Sequence, residues 1–179
     1  MCKKKPKAVR LKLNFDGSSK YGESRYASVG AFGGVFRDLE GRFVLGYAGR
    51  IGNATSSVAE LVALKRGLEL ALQNEWRDIC IEGDCKAAVE AITSRVRVRA
   101  SKDKEQFRAI TAMLPRLRKV TVTHVGRKRN TVADSFAELG HEAGPQRVWR
   151  GVPPPEVLLH LRRDAELRMQ IKVKRKIVK

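Results

Sequence analysis

Four acidic residues stand where one predicted element of the chain passes to the next: Asp16, Glu60, Asp84 and Asp134. Carboxylates gathered in one place repel one another unless a cation binds among them. Oxygen ligands without a cluster of cysteine or histidine favour Mg²⁺ or Mn²⁺ over zinc. Two such ions about 4 Å apart stabilise both the attacking water and the leaving oxygen of a phosphodiester displacement. If the four acids converge, the pattern predicts a metal-dependent nuclease.

Each acid taken alone has a simpler interpretation. Asp16 begins an Asp-Gly-Ser stretch that is typical of turns. Glu60 completes a capping box with Ser57, and Asp84 can cap the helix that follows it. Acids are also favoured near helix N-termini in general. The nuclease interpretation therefore depends on a fold that brings the four positions to one edge.

The first half of the chain predicts an antiparallel meander followed by a helix. Apolar side chains at every second position over residues 9–15 predict a strand that ends at Asp16, after which the chain turns away. Further strands are expected over residues 26–37 and 42–49, and a helix with one apolar stripe over residues 57–73.

The second half predicts two helical crossovers, each of which returns to a strand. Apolar runs over residues 77–82 and 120–125 predict the strands, and helices are expected after Asp84 and over residues 103–113 and 131–141. The element order is then βββαβααβα, which gives an α/β fold with a mixed five-stranded sheet flanked by helices. The first and fourth strands become neighbours, so their ends and the adjacent helix starts would place the four acids together.

Three segments are expected along the chain. Residues 1–8 form a basic N-terminal tail, residues 9–144 form the α/β domain, and residues 145–179 form a linker with a basic helical extension. Three prolines at positions 153–155 mark the linker, and the last of them can start a helix from Glu156 onward.

The composition points to a nucleic-acid partner. The 179 residues include 37 Lys+Arg against 19 Asp+Glu, which gives a net charge of +18 and favours polyanions. Three cysteines without metal-ligand spacing fit a reducing compartment. No apolar run approaches the roughly 20 residues that span a bilayer, and the basic N-terminus lacks the apolar core of a secretory signal. We expect a monomer in the nucleus or cytoplasm that does not act on a membrane.

Several motifs, in order, resemble the ribonuclease H type 1 family. They are Asp16-Gly17-Ser18 after a strand, the Ala59–Leu64 stretch, Glu82-Gly83-Asp84 before a helix, and the run from His124 to Asp134. Within that family, the motifs most resemble those of plant ribonuclease H-like proteins and retroelement ribonuclease H domains. The resemblance covers about residues 9–144, and the ordered set of four acids is more specific than any single piece.

This resemblance implies roles for individual residues. Asp16, Glu60, Asp84 and Asp134 would bind two Mg²⁺ or Mn²⁺ ions, and His124 would assist proton transfer and product release. The substrate would be contacted by Ser18, Ser56, Asn130 and Arg127. Simpler roles stay open for three of these residues, because His124 can make a local hydrogen bond at a strand end, Asn130 can cap a helix, and Ser56 can neighbour a cap.

The activity implied by the resemblance is endonucleolytic hydrolysis of the RNA strand of an RNA–DNA hybrid, leaving 3′-hydroxyl and 5′-phosphate ends. Basic loops over residues 20–25, 95–102 and 127–129 could contact phosphates without regard to sequence. Cys85 departs from the family, where a serine is more usual, and the extra basic helix of some bacterial members is not expected here.

Three alternatives compete with this activity. The first is a non-catalytic nucleic-acid-binding domain derived from a retroelement ribonuclease H. The second is a 3′–5′ exonuclease, which usually carries a glutamate two residues after the first aspartate, where this chain has Ser18. The third is an assembly subunit that docks a protein partner through the segment after residue 155.

Overall fold

A six-stranded mixed sheet forms the centre of the computed structural model, which describes residues 10–21, 28–93 and 101–177. The strand order is β5-β4-β1-β2-β3-β6, with β1, β2 and β3 antiparallel and β1, β4 and β5 parallel. The strands are β1 (Arg10–Tyr21), β2 (Ser28–Arg37), β3 (Phe43–Asn53), β4 (Asp78–Gly83), β5 (Lys119–His124) and β6 (Arg147–Arg150). The predicted α/β fold with a mixed sheet is confirmed.

Helices pack on both faces of this sheet. They are α1 (Ser56–Gln73), α2 (Lys86–Thr93), α3 (Ser101–Met113), α4 (Thr131–Gly140) and α5 (Leu158–Ile177). Short 3₁₀ turns at Leu114–Arg116, Arg127–Arg129 and Pro155–Val157 connect them. Among the helices of the described residues, none is long and apolar enough to cross a membrane.

Strand β1 continues past the point where the sequence predicted its end. Its parallel pairing with β4 stops at Asn14 opposite Glu82, but its antiparallel pairing with β2 runs on to Tyr21 opposite Ser28. The prediction that the chain turns away after Asp16 was therefore wrong, because β2 continues to satisfy the backbone of the Gly-Ser-Ser stretch. Asp16 lies where β1 loses one of its two neighbours, at a notch in the sheet.

Two glycines allow helices to lie directly on the strands beside this notch. A Cβ atom at Gly17 would come within 2.2 Å of the backbone nitrogen of Glu60 in α1. A Cβ atom at Gly33, the β2 partner of Asp16, would come within 2.2 Å of the backbone nitrogen of Ala137 in α4. The absence of side chains at these positions brings α1 and α4 close to Asp16 from opposite faces.

Helix α1 is capped two residues earlier than the capping-box pattern predicted, at Thr55 and not at Ser57. Its N-cap is Thr55, whose side chain accepts a hydrogen bond of 3.3 Å from the Val58 backbone amide. The hydroxyl of Ser57 instead donates to Asp103 at 3.2 Å. Glu60 is therefore not committed to closing a capping box with Ser57.

The sixth strand was not predicted, since this stretch was assigned to the linker. Arg147–Arg150 pairs with β3, and the Trp149 ring lies 5.6 Å from the ring of Phe136 in α4. Val157 is fully buried beyond it. A four-residue strand with arginine at both ends has too short an apolar alternation to stand out in the sequence. Strand β6 and the buried Val157 thus pack against the sheet and α4.

The basic loops are described only in part. Residues 22–25 and 95–100, and the basic N-terminal tail, lie outside the described residues. The third basic stretch, Arg127–Arg129, forms a 3₁₀ turn between β5 and α4, with all three side chains exposed.

Candidate metal centre

Three carboxylates from three elements converge at the notch. Asp16 comes from β1, Glu60 from α1, and Asp84 from the turn after β4, and one oxygen of each lies within 4.8 Å of the others. Asp16 and Glu60 are each 7% exposed. The parallel pairing of β1 with β4 brings Asp16 and Asp84 together, and Gly17 admits Glu60 beside them.

The environment of Asp16 disfavours its charged form. Burial, followed by the negative charges of Asp84 and Asp134, raises the pKa of Asp16 to about 7. Hydrogen bonds from Glu60 and from the Gly17 backbone amide, the latter 2.9 Å long, act in the opposite direction. Without a cation, this carboxyl group is only partly ionised at neutral pH.

Glu60 is shifted further in the same direction. Burial and the charge of Asp16 raise the pKa of Glu60 to about 9, so the metal-free protein keeps a proton on Glu60 and shares it with Asp16. The Oε2 atom of Glu60 is buried and has no hydrogen-bond partner. A buried acceptor without a partner is costly, and a coordinated cation would satisfy it.

These observations fit a hard divalent cation. The donor set is made only of carboxylate oxygens, it contains an unsatisfied acceptor, and burial together with neighbouring negative charge raises the pKa of both Asp16 and Glu60. Mg²⁺ and Mn²⁺ prefer such ligands. Asp16, Glu60 and Asp84 would hold the ion.

Asp134 borders this group without joining it. It is exposed in the first turn of α4 and faces the same cleft. Its charge nevertheless contributes to the raised pKa of Asp16. The structure thus places three of the four predicted acids in contact range of one ion and the fourth at the rim.

The carboxylates open into a cleft of about 440 Å³. Its rim combines hydroxyl and cationic groups, and its lining consists of Asp16, Gly17, Ser18, Ser19, Ser56, Glu60, Asp84, Arg127, Lys128, Thr131 and Asp134. The Arg127 Nε atom lies 3.7 Å from the Asp84 Oδ2 atom, and its side chain is 95% exposed. Of the residues predicted to contact substrate, Ser18, Ser56 and Arg127 line this cleft.

Ser18 is already engaged by neighbouring side chains. Its hydroxyl donates to Glu138 at 2.9 Å and lies 3.0 Å from the His141 Nε2 atom. Lys20 forms an ion pair with the same glutamate. Since the hydroxyl has one proton, directed at Glu138, the imidazole is the donor in its contact with Ser18. A substrate group at Ser18 would have to share or replace these contacts.

His124 is the last residue of β5 and pairs with Gly83 at the end of β4. Its Nε2 atom donates a 3.0 Å hydrogen bond to the Asp84 backbone carbonyl, and the side chain is exposed. It is not among the residues that line the cleft. This is the local strand-end hydrogen bond considered above, and a role for His124 in proton transfer stays a prediction.

Asn130 is turned into the protein rather than towards the cleft. It is 1% exposed and occupies the N-cap position of α4 without a side-chain capping hydrogen bond. Its amide donates to the Phe15 carbonyl at 2.9 Å and to the Asp84 Oδ1 atom at 3.0 Å. Both amide protons are therefore used inside the fold and neither caps the helix, and a substrate contact by Asn130 stays a prediction.

Two residues behind the site, Asn14 and Arg37, were not among the predicted site residues. Both are buried, and the Arg37 Nη2 atom donates to the Asn14 Oδ1 atom at 2.8 Å. The available signal for Asn14 was its position two residues before Asp16, on the same face of β1. Arg37 gave no signal, because a basic residue at the end of a strand usually points to solvent.

The family model described as reverse transcriptase-like matches residues 14–140, which contain all four acids. The chain belongs to this family. Among curated proteins, none matches it significantly.

Solved structures of ribonuclease H domains share the fold of this reverse transcriptase-like chain. Ribonuclease H1 from the archaeon Halobacterium salinarum NRC-1 is 26% identical, with a TM-score of 0.68 over 74% of this chain and 98% of that chain. The N-terminal ribonuclease H domain of a Mycobacterium tuberculosis protein is also 26% identical, with a TM-score of 0.68 over 75% and 95%. The resemblance to the ribonuclease H family is therefore confirmed.

A third similar structure contains a nucleic acid. LC11 ribonuclease H1, isolated from compost by metagenomics, was solved in complex with an RNA/DNA hybrid. It is 23% identical with a TM-score of 0.62, covering 72% of this chain and 94% of that chain, which supports the fold alone. Strand β6 and helix α5 lie beyond the segment that the family model matches.

Proposed function

We propose that this protein is a ribonuclease H that hydrolyses the RNA strand of RNA–DNA hybrids in a reaction that depends on Mg²⁺ or Mn²⁺. The observation that carries the proposal is the convergence of Asp16, Glu60 and Asp84 around a buried, unpartnered glutamate oxygen. A purely structural set of acids would be paired with cations inside the fold, whereas this set opens into a cleft. Similar structures that are ribonucleases H1 support the same conclusion.

The proposed metal site holds two ions. Bound divalent ions would neutralise charge on the scissile phosphate and lower the pKa of the attacking water. Asp16, Glu60 and Asp84 would supply the inner ligands, and Asp134 at the rim of the cleft would supply a fourth carboxylate. The rigid elements β1, β4 and α1 fix the three inner carboxylates before substrate arrives, which is the preorganisation that electrostatic catalysis requires.

The cleft rim is suited to a nucleic-acid backbone. Arg127 and Lys128 bring positive charge beside the carboxylates, and Ser56 and Thr131 bring hydroxyl groups. Contacts of these kinds recognise phosphates and 2′-hydroxyls without reading bases. The hybrid in the LC11 ribonuclease H1 complex is the substrate class that this fold accommodates.

A gel assay tests the proposal by comparing hybrid, double-stranded RNA, double-stranded DNA and single strands, each with Mg²⁺ or with EDTA. Wild-type protein is expected to cut only the RNA strand of the hybrid, and only with metal. Asp16→Asn and Asp84→Asn each remove a ligand charge and should lower the rate at least 100-fold, since losing a charged group aimed at the reacting centre costs about that much.

Asp78→Asn is the matched control, because Asp78 pairs with Arg118 at the opposite end of β4. Its rate should equal that of the wild type. Equal rates for Asp16→Asn and wild type would refute the site assignment. If the wild type bound the hybrid but did not cleave it in either Mg²⁺ or Mn²⁺, the result would favour the non-catalytic binding domain instead.

A further inference from the structure

We propose that Asp164 in helix α5 and Arg37 in strand β2 are positioning residues for Asp84, acting through Asn14 and Asn130. The inference rests on the proposed function, because it assigns a role to these residues at the same metal site. It is carried by a continuous series of side-chain hydrogen bonds from α5 to the notch.

The series ends at the carboxylate of Asp84. The Asn130 Nδ2 atom donates to the Asp84 Oδ1 atom at 3.0 Å and to the Phe15 carbonyl at 2.9 Å. The second bond anchors the amide to the backbone of β1, one residue before Asp16. Asn130 therefore fixes Asp84 relative to the strand that carries another ligand of the proposed site.

Asn14 helps to set the orientation of the Asn130 amide. The Asn130 Oδ1 atom accepts a 3.1 Å hydrogen bond from the Asn14 Nδ2 atom, which also donates to the Glu82 Oε2 atom at 3.3 Å. Asn14 is completely buried. Both protons of each amide are thus used inside the protein.

Arg37 fixes the direction of the series from one end, together with the Glu82 carboxylate and the Phe15 carbonyl, which each accept from an amide NH₂ group. A guanidinium group donates hydrogen bonds and cannot accept them. Asn14 must therefore turn its oxygen towards Arg37, which leaves its NH₂ group for Asn130. Asn130 must in turn present its oxygen to Asn14 and its NH₂ group to Asp84. With an accepting group in place of Arg37, the Asn14 oxygen would lose this donor, and the Glu82 and Phe15 oxygens would be left to hold the two amides in their orientation.

Asp164 holds the guanidinium in this place. Arg37 is 1% exposed, and it forms an ion pair with Asp164, whose side chain is 12% exposed. A buried cation that loses its anionic partner is strongly disfavoured and shifts or recruits other groups. Because α5 lies beyond residues 14–140, this contact makes a segment outside the family match part of the support of the site.

A role in stability alone is the competing explanation, and metal affinity separates the two. The affinity of the full-length protein for Mn²⁺ is measured by titration calorimetry, at a temperature where circular dichroism shows each variant folded. Asn130→Ala should weaken binding about 10- to 100-fold, which is typical for the loss of a hydrogen-bond partner of a ligand. Asp164→Asn, which acts at a distance, should weaken it about 3- to 10-fold.

Two further comparisons make the test specific. Arg37→Gln, which can accept as well as donate, should bind Mn²⁺ less tightly than Arg37→Lys, which can only donate. The double variant Asp164→Asn/Asn130→Ala should bind no more weakly than Asn130→Ala alone, since both changes act through one contact. Asp78→Asn, which removes an ion pair at the opposite end of β4, should bind as the wild type does.

The proposal is overturned if folded Asp164→Asn binds Mn²⁺ with wild-type affinity. It is also overturned if the losses of Mn²⁺ binding free energy from Asp164→Asn and Asn130→Ala add in full in the double variant. Should Asp164→Asn fail to fold, Asn14→Ser in the same titration decides, and wild-type affinity there has the same meaning. Metal binding without hybrid cleavage by the wild type would refute the proposed function, but the Mn²⁺ titration would still test the positioning role. Cleavage by the wild type with an unchanged Asp164→Asn affinity would refute only the positioning role.

Discussion

At the scale of single residues, the buried pair Asp16 and Glu60 links metal binding to stability. Both have a pKa raised above the ordinary carboxyl value near 4, to about 7 and about 9, chiefly because they are buried. From about pH 4 up to these raised pKa values, the folded protein therefore binds more protons than the unfolded chain. The free energy of unfolding must fall as the pH rises through this window. The contribution of the two carboxyl groups to stability is complete only below the window.

Glu60→Gln should remove much of this dependence. In EDTA, the midpoint temperature of wild-type unfolding should fall between pH 7 and pH 9, whereas that of the variant should stay nearly level. At pH 9 the variant should be more stable by about 1–3 kcal/mol, since each pKa unit corresponds to about 1.4 kcal/mol. Thermal melts by circular dichroism measure the difference, and added Mg²⁺ should raise the midpoint of the wild type much more than that of the variant.

Above pH 7 the comparison of the two proteins singles out Glu60, because both share the Cys85 thiol, whose pKa burial raises. Ion pairs lower the pKa of Asp78, and burial lowers the pKa of His141, so these groups change charge below pH 7. Asp78→Asn should therefore keep the pH profile of the wild type between pH 7 and pH 9. A Glu60→Gln profile parallel to that of the wild type would show that Glu60 is ionised in the metal-free protein.

At the scale of elements, the site depends on how closely α1 approaches β1. Gly17→Ala should be destabilising, because the new Cβ atom would lie 2.2 Å from a backbone nitrogen that cannot move without the helix. Overpacking of this kind costs about 1–3 kcal/mol or more. Urea unfolding measures the loss, and Mn²⁺ titration should show weaker binding, since a displaced α1 carries Glu60 with it.

Gly52→Ala is the control for this change. Gly52 also lies in a strand, and a Cβ atom there would meet nothing within 4 Å. Its stability should stay within about 1 kcal/mol of the wild type, as is usual for open surface positions. Equal effects of the two substitutions would mean that the loss at Gly17 comes from strand propensity and not from the helix contact.

The sequence predicted the elements better than their ends. The alternation of Leu11, Leu13 and Phe15 defines β1, but nothing in it indicates that β2 would hold the strand together beyond Asp16. The ordered acids could be recognised because metal ligation needs a particular residue type at each position. Asn14 could not, and Asn130 was predicted only as a substrate contact or a cap, since the contact between them joins residues more than 100 positions apart in the chain.

At the scale of the whole molecule, the surface charge should govern affinity for nucleic acid. The chain carries a net charge of +18, yet its proposed site is a group of carboxylates. Positive charge around the cleft draws a polyanion towards metal ions that the carboxylates hold. Binding that releases counterions weakens linearly with the logarithm of salt concentration, with a slope that counts the phosphates contacted.

Arg127→Ala should therefore weaken binding of a hybrid to Asp16→Asn protein and reduce the salt slope by about 1, as the loss of one phosphate contact predicts. The inactive background allows binding to be measured by fluorescence anisotropy without cleavage. Arg118→Ala removes the same charge at the start of β5, at the opposite end from the cleft, and should leave the slope unchanged. A contact at the cleft rim would distinguish Arg127 from Arg118, whereas overall charge would not. If both variants lowered the salt slope equally, overall charge and not a contact at the cleft rim would therefore account for the affinity.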